Sequence, residues 1–273
     1  MKYYKYIQWL SLDVVLGACA GMYFFAELLE VYLPIRLYFL LGMAVWVIYT
    51  FDHLWDVRKL TFIAHTDRHA FHQRYQRYLW VILLAVTFLG LLLGWNFIFK
   101  KELFFIGSVG GILVLSYLLV ISFLPPTKVI FKEVLTAILY VFGLIAGPLM
   151  WYEGLLPETF YFATVIYILL AFKNLFFYAY MDQESDRIHQ YGSLSLIVGE
   201  SNSRLFLKLY GIILLCLIAI GAFFFQLSMP YTFCLITIAL VHTLLILFYK
   251  NLSYNGIYRA LADGVFMVGF LNI

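Results

Sequence analysis

The chain of 273 residues is 64% hydrophobic and only 12% charged, with a mean hydropathy of +0.93. A soluble domain carries roughly 25% charged residues, so this composition excludes one and identifies an integral membrane protein. The formal charge of +3 is small; its distribution along the chain is informative, and no nucleic-acid partner is expected.

A spanning helix needs about 20 mostly apolar residues. Taken in chain order, nine such stretches are predicted, near 8–28, 35–51, 78–98, 103–123, 134–153, 158–180, 204–226, 230–249 and 256–273. The Lys2/Lys5 start is like the basic end of a signal peptide. No small-residue cleavage site follows, however, and Asp13 interrupts the apolar run, so this stretch is read as the first span. Pro34, Pro125-Pro126, Pro157, Pro230 and Asn255-Gly256 punctuate the boundaries, whereas Pro148 falls inside the fifth stretch and is expected to kink it. The loops are short. The expectation is therefore a single all-α domain over 1–273, a multi-pass bundle of nine transmembrane helices.

Basic residues orient the bundle. With nine spans, fourteen Lys and Arg residues fall on the N-terminal side and only Arg36, Lys100 and Lys101 fall opposite. The N-terminus is thus expected on the cytoplasmic side, in a membrane such as the bacterial inner membrane. Cys19, Cys216 and Cys234 lie in apolar stretches with no disulfide or zinc spacing and read as small buried hydrophobes.

The second and sixth stretches end alike. Asp52-His53-Leu54-Trp55-Asp56 and Asp182-Gln183-Glu184-Ser185-Asp186 each read D-x-x-x-D, and together they hold five of the fifteen acidic residues. Carboxylates at i and i+4 share one helical face, where as bare charges they repel. A hard divalent cation reverses that sign. Mg²⁺ takes few protein oxygens and completes its shell with substrate phosphates. Two such pairs on one membrane face suggest a two-sided clamp for a diphosphate, with Asp52, Asp56, Asp182 and Asp186 as metal ligands and catalytic groups. Cationic partners for the phosphates are expected from the same face, where Arg68, Lys128 and Lys132 are the candidates.

The flanking residues carry a resemblance. Tyr178-Ala179-Tyr180-Met181-Asp182-Gln183-Glu184-Ser185-Asp186, continuing through Gly192, Ser193, Leu194 and Val198-Gly199, resembles the second aspartate motif of the UbiA family of intramembrane prenyltransferases. Asp52 to Asp56 is similar to the C-terminal part of that family's first motif, N-D-x-x-D-x-x-x-D, and Thr66-Asp67-Arg68-His69 resembles the T-x-R-P element that follows it. Ile48 and Tyr49 stand where the family has Asn and Asp, His69 replaces the proline, and Leu124 stands where a Tyr is frequent.

The resemblance implies transfer of a prenyl group from a polyprenyl diphosphate to a small lipophilic, electron-rich acceptor, aromatic or quinone-precursor in kind. It implies two Mg²⁺ ions bridging the diphosphate at an active site facing the cytoplasm. Phe51, Trp55, Tyr178, Tyr180 and Glu184 are then expected to line the substrate pocket, aromatic faces being able to steady an allylic cation. Asp13 and Asp263, near the same ends of the first and ninth stretches, are candidate polar contacts for the acceptor, with helix-to-helix hydrogen bonding as the competing role. Two other classes fit less of the sequence. A transporter would place its binding groups at mid-span, where Lys173-Asn174 is the one such pair. An iron oxygenase would use His65, His69 and His72, but the remaining histidines do not complete its clusters.

Overall fold

The computed structural model describes residues 2–58, 66–95, 101–123, 131–189, 192–252 and 257–271. All regular elements among them are helices: α1 (Lys2–Trp9), α2 (Leu12–Leu28), α3 (Ile35–Val57), α4 (Asp67–Arg74), α5 (Gln76–Trp95), α6 (Lys101–Phe123), α7 (Lys132–Trp151), α8 (Glu158–Met181), α9 (Gln183–His189), α10 (Leu194–Val198), α11 (Glu200–Phe224), α12 (Met229–Leu252) and α13 (Ile257–Gly264), the last running into a 3-10 helix, Val265–Leu271. Lys128 lies outside the described residues.

Six of these helices, α3, α5, α7, α8, α11 and α12, are long and apolar enough to cross a membrane. The protein is therefore a multi-pass integral membrane protein. The other predicted stretches correspond to α2, α6 and the α13/3-10 segment. The first stretch begins differently from expectation. Ser11 takes a left-handed conformation, φ +53°, which severs α1 from the long α2 and lets α1 run separately. Pro148 sits in the last turn of α7, and Tyr152 N–H closes that turn on the Pro148 carbonyl at 3.0 Å.

Packing closes a ring. α2 packs on α3 and α7, α3 on α7, α7 on α8, α8 on α12, α12 on the 3-10 helix, and the 3-10 helix back on α2. The ring's interior is the main core, where Phe24, Phe25, Leu144, Tyr167, Leu170 and Ile238 are buried. Outside the ring, α5 covers α3, α6 covers α7, and α11 covers α8 and α12. These outer helices present Val81, Leu84, Phe88, Ile112, Ile212 and Ile220 outward, the face expected of a helix solvated by lipid.

At one end of the ring, α1 and α4 form a short cap. Tyr6 and Trp9 of α1 pack on Phe71 of α4, with the Trp9 and Phe71 rings stacked at 5.3 Å. Lys5 pairs with Asp67 at 3.6 Å. α4 starts at Thr66, an N-cap whose hydroxyl accepts from the His69 N–H at 3.3 Å, the usual way a helix satisfies its first donors.

Candidate functional site

The capped end of the ring gathers the ionisable residues. Asp52 and Asp56 lie one turn apart at the end of α3. Asp182 ends α8, and Asp186 N–H donates to the Asp182 carbonyl at 2.8 Å, so these two carboxylates are also one turn apart. Lys132, the first residue of α7, lies within electrostatic range of Asp52 from one run and of Asp186 from the other. The two acidic runs, far apart in sequence, thus sit in the field of one ammonium group. Asp52 keeps exposed surface although protein surrounds it, as a residue on a cleft wall does.

Asp186, on α9 outside the spanning helices, has its carboxyl pushed up to about 6, chiefly by burial; the Lys132 ammonium opposes the shift and the Asp182 charge adds to it. Its surroundings are braced from behind. Glu133 of α7 accepts the Leu194 N–H at 3.2 Å, and Gln183 donates to the Ser195 carbonyl at 2.8 Å. Gly199 then turns the chain into α11 with φ +85° and ψ 156°, a conformation that belongs almost to glycine alone. The closing glycine of the motif thus has a backbone reason.

Asp182 is engaged by a residue that sequence reasoning passed over. Arg259 Nη2 of α13 lies 2.5 Å from both Asp182 oxygens. The guanidinium is also held by Tyr258, whose hydroxyl accepts from Nε at 3.0 Å, and it stands over the Tyr178 ring at 5.2 Å. Tyr178 in turn donates its hydroxyl to the Arg259 carbonyl at 3.2 Å. In the sequence Arg259 is one basic residue among fourteen on its side, and its separation of 77 residues from Asp182 leaves no local signal.

Across the cleft, α4 brings Arg68 and His69. Arg68 Nη2 is buried without a hydrogen-bond partner. His69 Nε2 lies 4.0 Å from Asp56, and its Nδ1 meets the Thr66 hydroxyl at 2.8 Å. His53 packs edge-on against His69 and His72, with ring centroids 5.3 and 4.9 Å away. His72 is anchored through Nδ1 to the Arg68 carbonyl at 2.9 Å. Burial lowers the His69 and His72 imidazoles to about 4, so both are neutral at pH 7. Among the described residues no three His, Cys, Asp or Glu side chains converge on one metal-binding point. The histidines wall the site; His65 lies outside the described residues.

Of the expected pocket residues, Tyr178 joins the cluster, and the other four make contacts of their own or meet solvent. Phe51 stacks on Trp55 at 5.5 Å and meets Trp80 of α5 edge-on. Trp55 carries the Arg58 guanidinium 3.4 Å from its ring centre. Tyr180 packs with Leu207, Leu245 and Tyr249 between α8, α11 and α12. Glu184 is exposed on α9. Helices have several faces, and motif proximity along the chain does not choose among them.

Below the acidic cluster the ring encloses a cavity lined by Tyr49, Thr136, Tyr140, Asn174, Asp263 and Phe266, among others. These residues occupy the same helices as the cluster. Tyr49 is nearly one turn from Asp52, Thr136 one turn from Lys132, Asp263 one turn from Arg259, and Asn174 two turns from Asp182. Each turn is about 5.4 Å, so the cavity is the floor of the same site.

No protein-family model and no curated protein matches the chain. Among solved structures it is similar to the apo structure of a UbiA homolog from Aeropyrum pernix K1, at a TM-score of 0.63 and 14% identity, over 94% of this chain and 96% of that one. The chain therefore shares the fold of that UbiA homolog over nearly the whole of both chains.

Proposed function

We propose that the protein is a Mg²⁺-dependent intramembrane prenyltransferase that moves a prenyl group from a polyprenyl diphosphate to a small, lipophilic, electron-rich acceptor of the aromatic or quinone-precursor kind. The observation that carries this reading is the meeting of both acidic runs at Lys132. The shared fold agrees with it.

The residues fit the metal. Mg²⁺ sites usually need one or two carboxylates, with phosphate oxygens supplying further ligands, and each run offers two carboxylates one turn apart. Asp52 and Asp56 would hold one ion, Asp182 and Asp186 the other. Held there, Mg²⁺ would neutralise the charge that develops on a departing diphosphate.

The chain's own groups do the rest. Arg68 keeps a buried Nη2 with no hydrogen-bond partner, a donor that an anionic oxygen could take. Lys132 stands between the two runs and, with Lys128 as a further candidate, adds positive charge where the diphosphate would lie. Arg259 holds Asp182 in place and keeps a cation beside the leaving group. Tyr178, packed under Arg259, offers its ring to an allylic cation. The imidazoles of His53, His69 and His72 pack together beside the site, and excluding water there would favour transfer over hydrolysis. The excess of basic residues on this face supports a cytoplasmic orientation for it, in a bundle of nine spans with a cytoplasmic N-terminus.

Membranes carrying the protein, incubated with labelled prenyl diphosphates and a panel of acceptors, should yield a prenylated product that disappears on chelating Mg²⁺ and in Asp52→Ala. Transfer that persists in both conditions would overturn the reading.

A further inference from the structure

The two acidic runs do not meet positive charge in the same way. Asp52 has the Lys132 ammonium within electrostatic range, whereas Asp182 carries a direct ion pair. Arg259 Nη2 lies 2.5 Å from Oδ1 and 2.5 Å from Oδ2. A nitrogen equidistant from both oxygens sits on the edge of the carboxylate that a cation held by both oxygens would take. The two side chains are 18% and 26% exposed, enclosed enough for the pair to be weakly screened and open enough for a solute to reach it.

The guanidinium is fixed in that position from several sides. The Tyr258 hydroxyl accepts from its Nε at 3.0 Å, and the Tyr178 and Tyr258 rings lie 5.2 and 5.4 Å from its central carbon. The Tyr178 hydroxyl donates to the Arg259 carbonyl at 3.2 Å, which secures the backbone that carries the side chain. With Asp182 closing α8 and Arg259 on α13, the pair also ties two helices together at the polar end of the ring.

This arrangement bears directly on a divalent metal. Mg²⁺ needs an oxygen lone pair at about 2.0–2.1 Å. A guanidinium on both Asp182 oxygens excludes the ion from their shared edge and repels it elsewhere. A metal must therefore displace the guanidinium or do without Asp182. Displacement with no other anion present strands a largely enclosed cation without its carboxylate, which is costly. A phosphate group removes that cost, because its oxygens accept from the same fork of donors.

The geometry points to Arg259 as a positioning residue that stands in for the cation at Asp182 while metal is absent, so that this half of the clamp accepts Mg²⁺ together with a diphosphate and poorly without one. The word diphosphate rests on the prenyltransferase reading; the competition between Arg259 and a divalent metal for Asp182 does not. In the resting protein the same contact offsets the repulsion that two carboxylates one turn apart would otherwise feel.

The test counts bound Mn²⁺, a paramagnetic stand-in for Mg²⁺, on the purified full chain in detergent, by electron paramagnetic resonance with and without a prenyl thiodiphosphate. Without the thiodiphosphate, Arg259→Gln should bind Mn²⁺ at least tenfold more tightly than wild type. Tyr258→Phe keeps every charge and removes only the acceptor that steadies the guanidinium; it should bind Mn²⁺ at least threefold more tightly. A damaged fold does not produce tighter binding, and the second variant serves if the first fails to fold. The thiodiphosphate should tighten Mn²⁺ binding by wild type at least a hundredfold, the reciprocal of the metal's effect on the diphosphate, and that gain should be at least tenfold smaller in Arg259→Gln. In an Asp182→Asn background, Arg259→Gln should change Mn²⁺ affinity less than twofold, since the contested carboxylate is gone. Affinity that rises in neither single variant would overturn the inference. So would a tenfold rise with Arg259→Gln that persists beside Asp182→Asn, the mark of a general charge effect. A tenfold rise in Arg259→Gln that depends on Asp182, with no thiodiphosphate binding by any form of the protein, would sustain the competition and count against the prenyltransferase reading.

Discussion

At the scale of single residues, the chain is most readable where a side chain contradicts its surroundings. Asp52, Asp56, Asp182 and Asp186 stand out because carboxylates are scarce in so apolar a sequence, and their spacing alone announces two paired sites. Arg68 is legible through Thr66, whose capping of α4 fixes where that arginine emerges. Arg259 is not legible: its partner lies on another helix, and no local pattern records a tertiary ion pair. Tyr180 shows the converse. It sits two residues from Asp182, yet the helical rotation turns it into the packing between α8, α11 and α12.

His72 gives a residue-scale prediction. It is buried, its Nδ1 is held by the Arg68 carbonyl, and burial lowers its imidazole to about 4 from an ordinary 6.5. The folded state therefore binds fewer protons there than the unfolded chain between those values. Its contribution is present above about 6.5 and is lost as the pH falls toward 4. The unfolding midpoint of the wild-type protein should decline across that window, and His72→Gln should decline less steeply. Parallel curves for the two proteins would show that His72 does not carry this dependence.

At the scale of elements, apolar length located the long helices well, because a span must satisfy its backbone internally whatever its neighbours are. The short elements escaped. α1, α4, α9 and α10 are too short for a periodicity argument, and the break at Ser11 depends on a left-handed residue that is not a glycine. α13 is held into the ring by polar contacts: Asn174 to Asp263, Tyr178 to the Arg259 carbonyl, Asp182 with Arg259, and His242 Nε2 with the Ala262 carbonyl at 3.0 Å. Hydrogen bonds between membrane helices contribute about 0.6–2 kcal/mol each, so this segment is fixed by the same residues that build the site. Lys173, the mid-span lysine, bonds Thr243 at 2.6 Å and the Ala239 carbonyl at 3.4 Å, joining α8 to α12 rather than lining a mid-membrane path.

Gly199 is the element-scale test. Its φ of +85° and ψ of 156° cost a residue with a side chain about 1–3 kcal/mol, although nothing lies close enough to clash with a Cβ. Gly199→Ala should loosen the turn that sets α10 and Asp186 against α11. Limited proteolysis should then cut near 192–203 faster than in wild type, with the long helices still protected. Unchanged cleavage would mean that the turn does not depend on glycine.

At the scale of the whole molecule, what the sequence does not disclose is which helices meet. The ring order α2, α3, α7, α8, α12 and α13 leaves α5, α6 and α11 outside, and chain order alone does not separate these groups, since all are comparably apolar. The polar residues record the division afterwards: Asp13, Asp52, Lys132, Asn174, Asp182, Arg259 and Asp263 all lie on ring helices. The site is thus a consequence of closure. In the proposed clamp each acidic run supplies half, and Lys132, on a third helix, stands between the halves.

That convergence is the central claim, and one binding measurement tests it. The dissociation constant of a prenyl thiodiphosphate for the purified protein, with and without Mg²⁺, should fall at least a hundredfold when Mg²⁺ is added, which corresponds to about 2.7 kcal/mol. Asp52→Asn on one side and Asp186→Asn on the other should each abolish most of that gain. If either variant keeps the full Mg²⁺-dependent affinity of the wild-type protein, the two acidic runs do not hold one ligand between them.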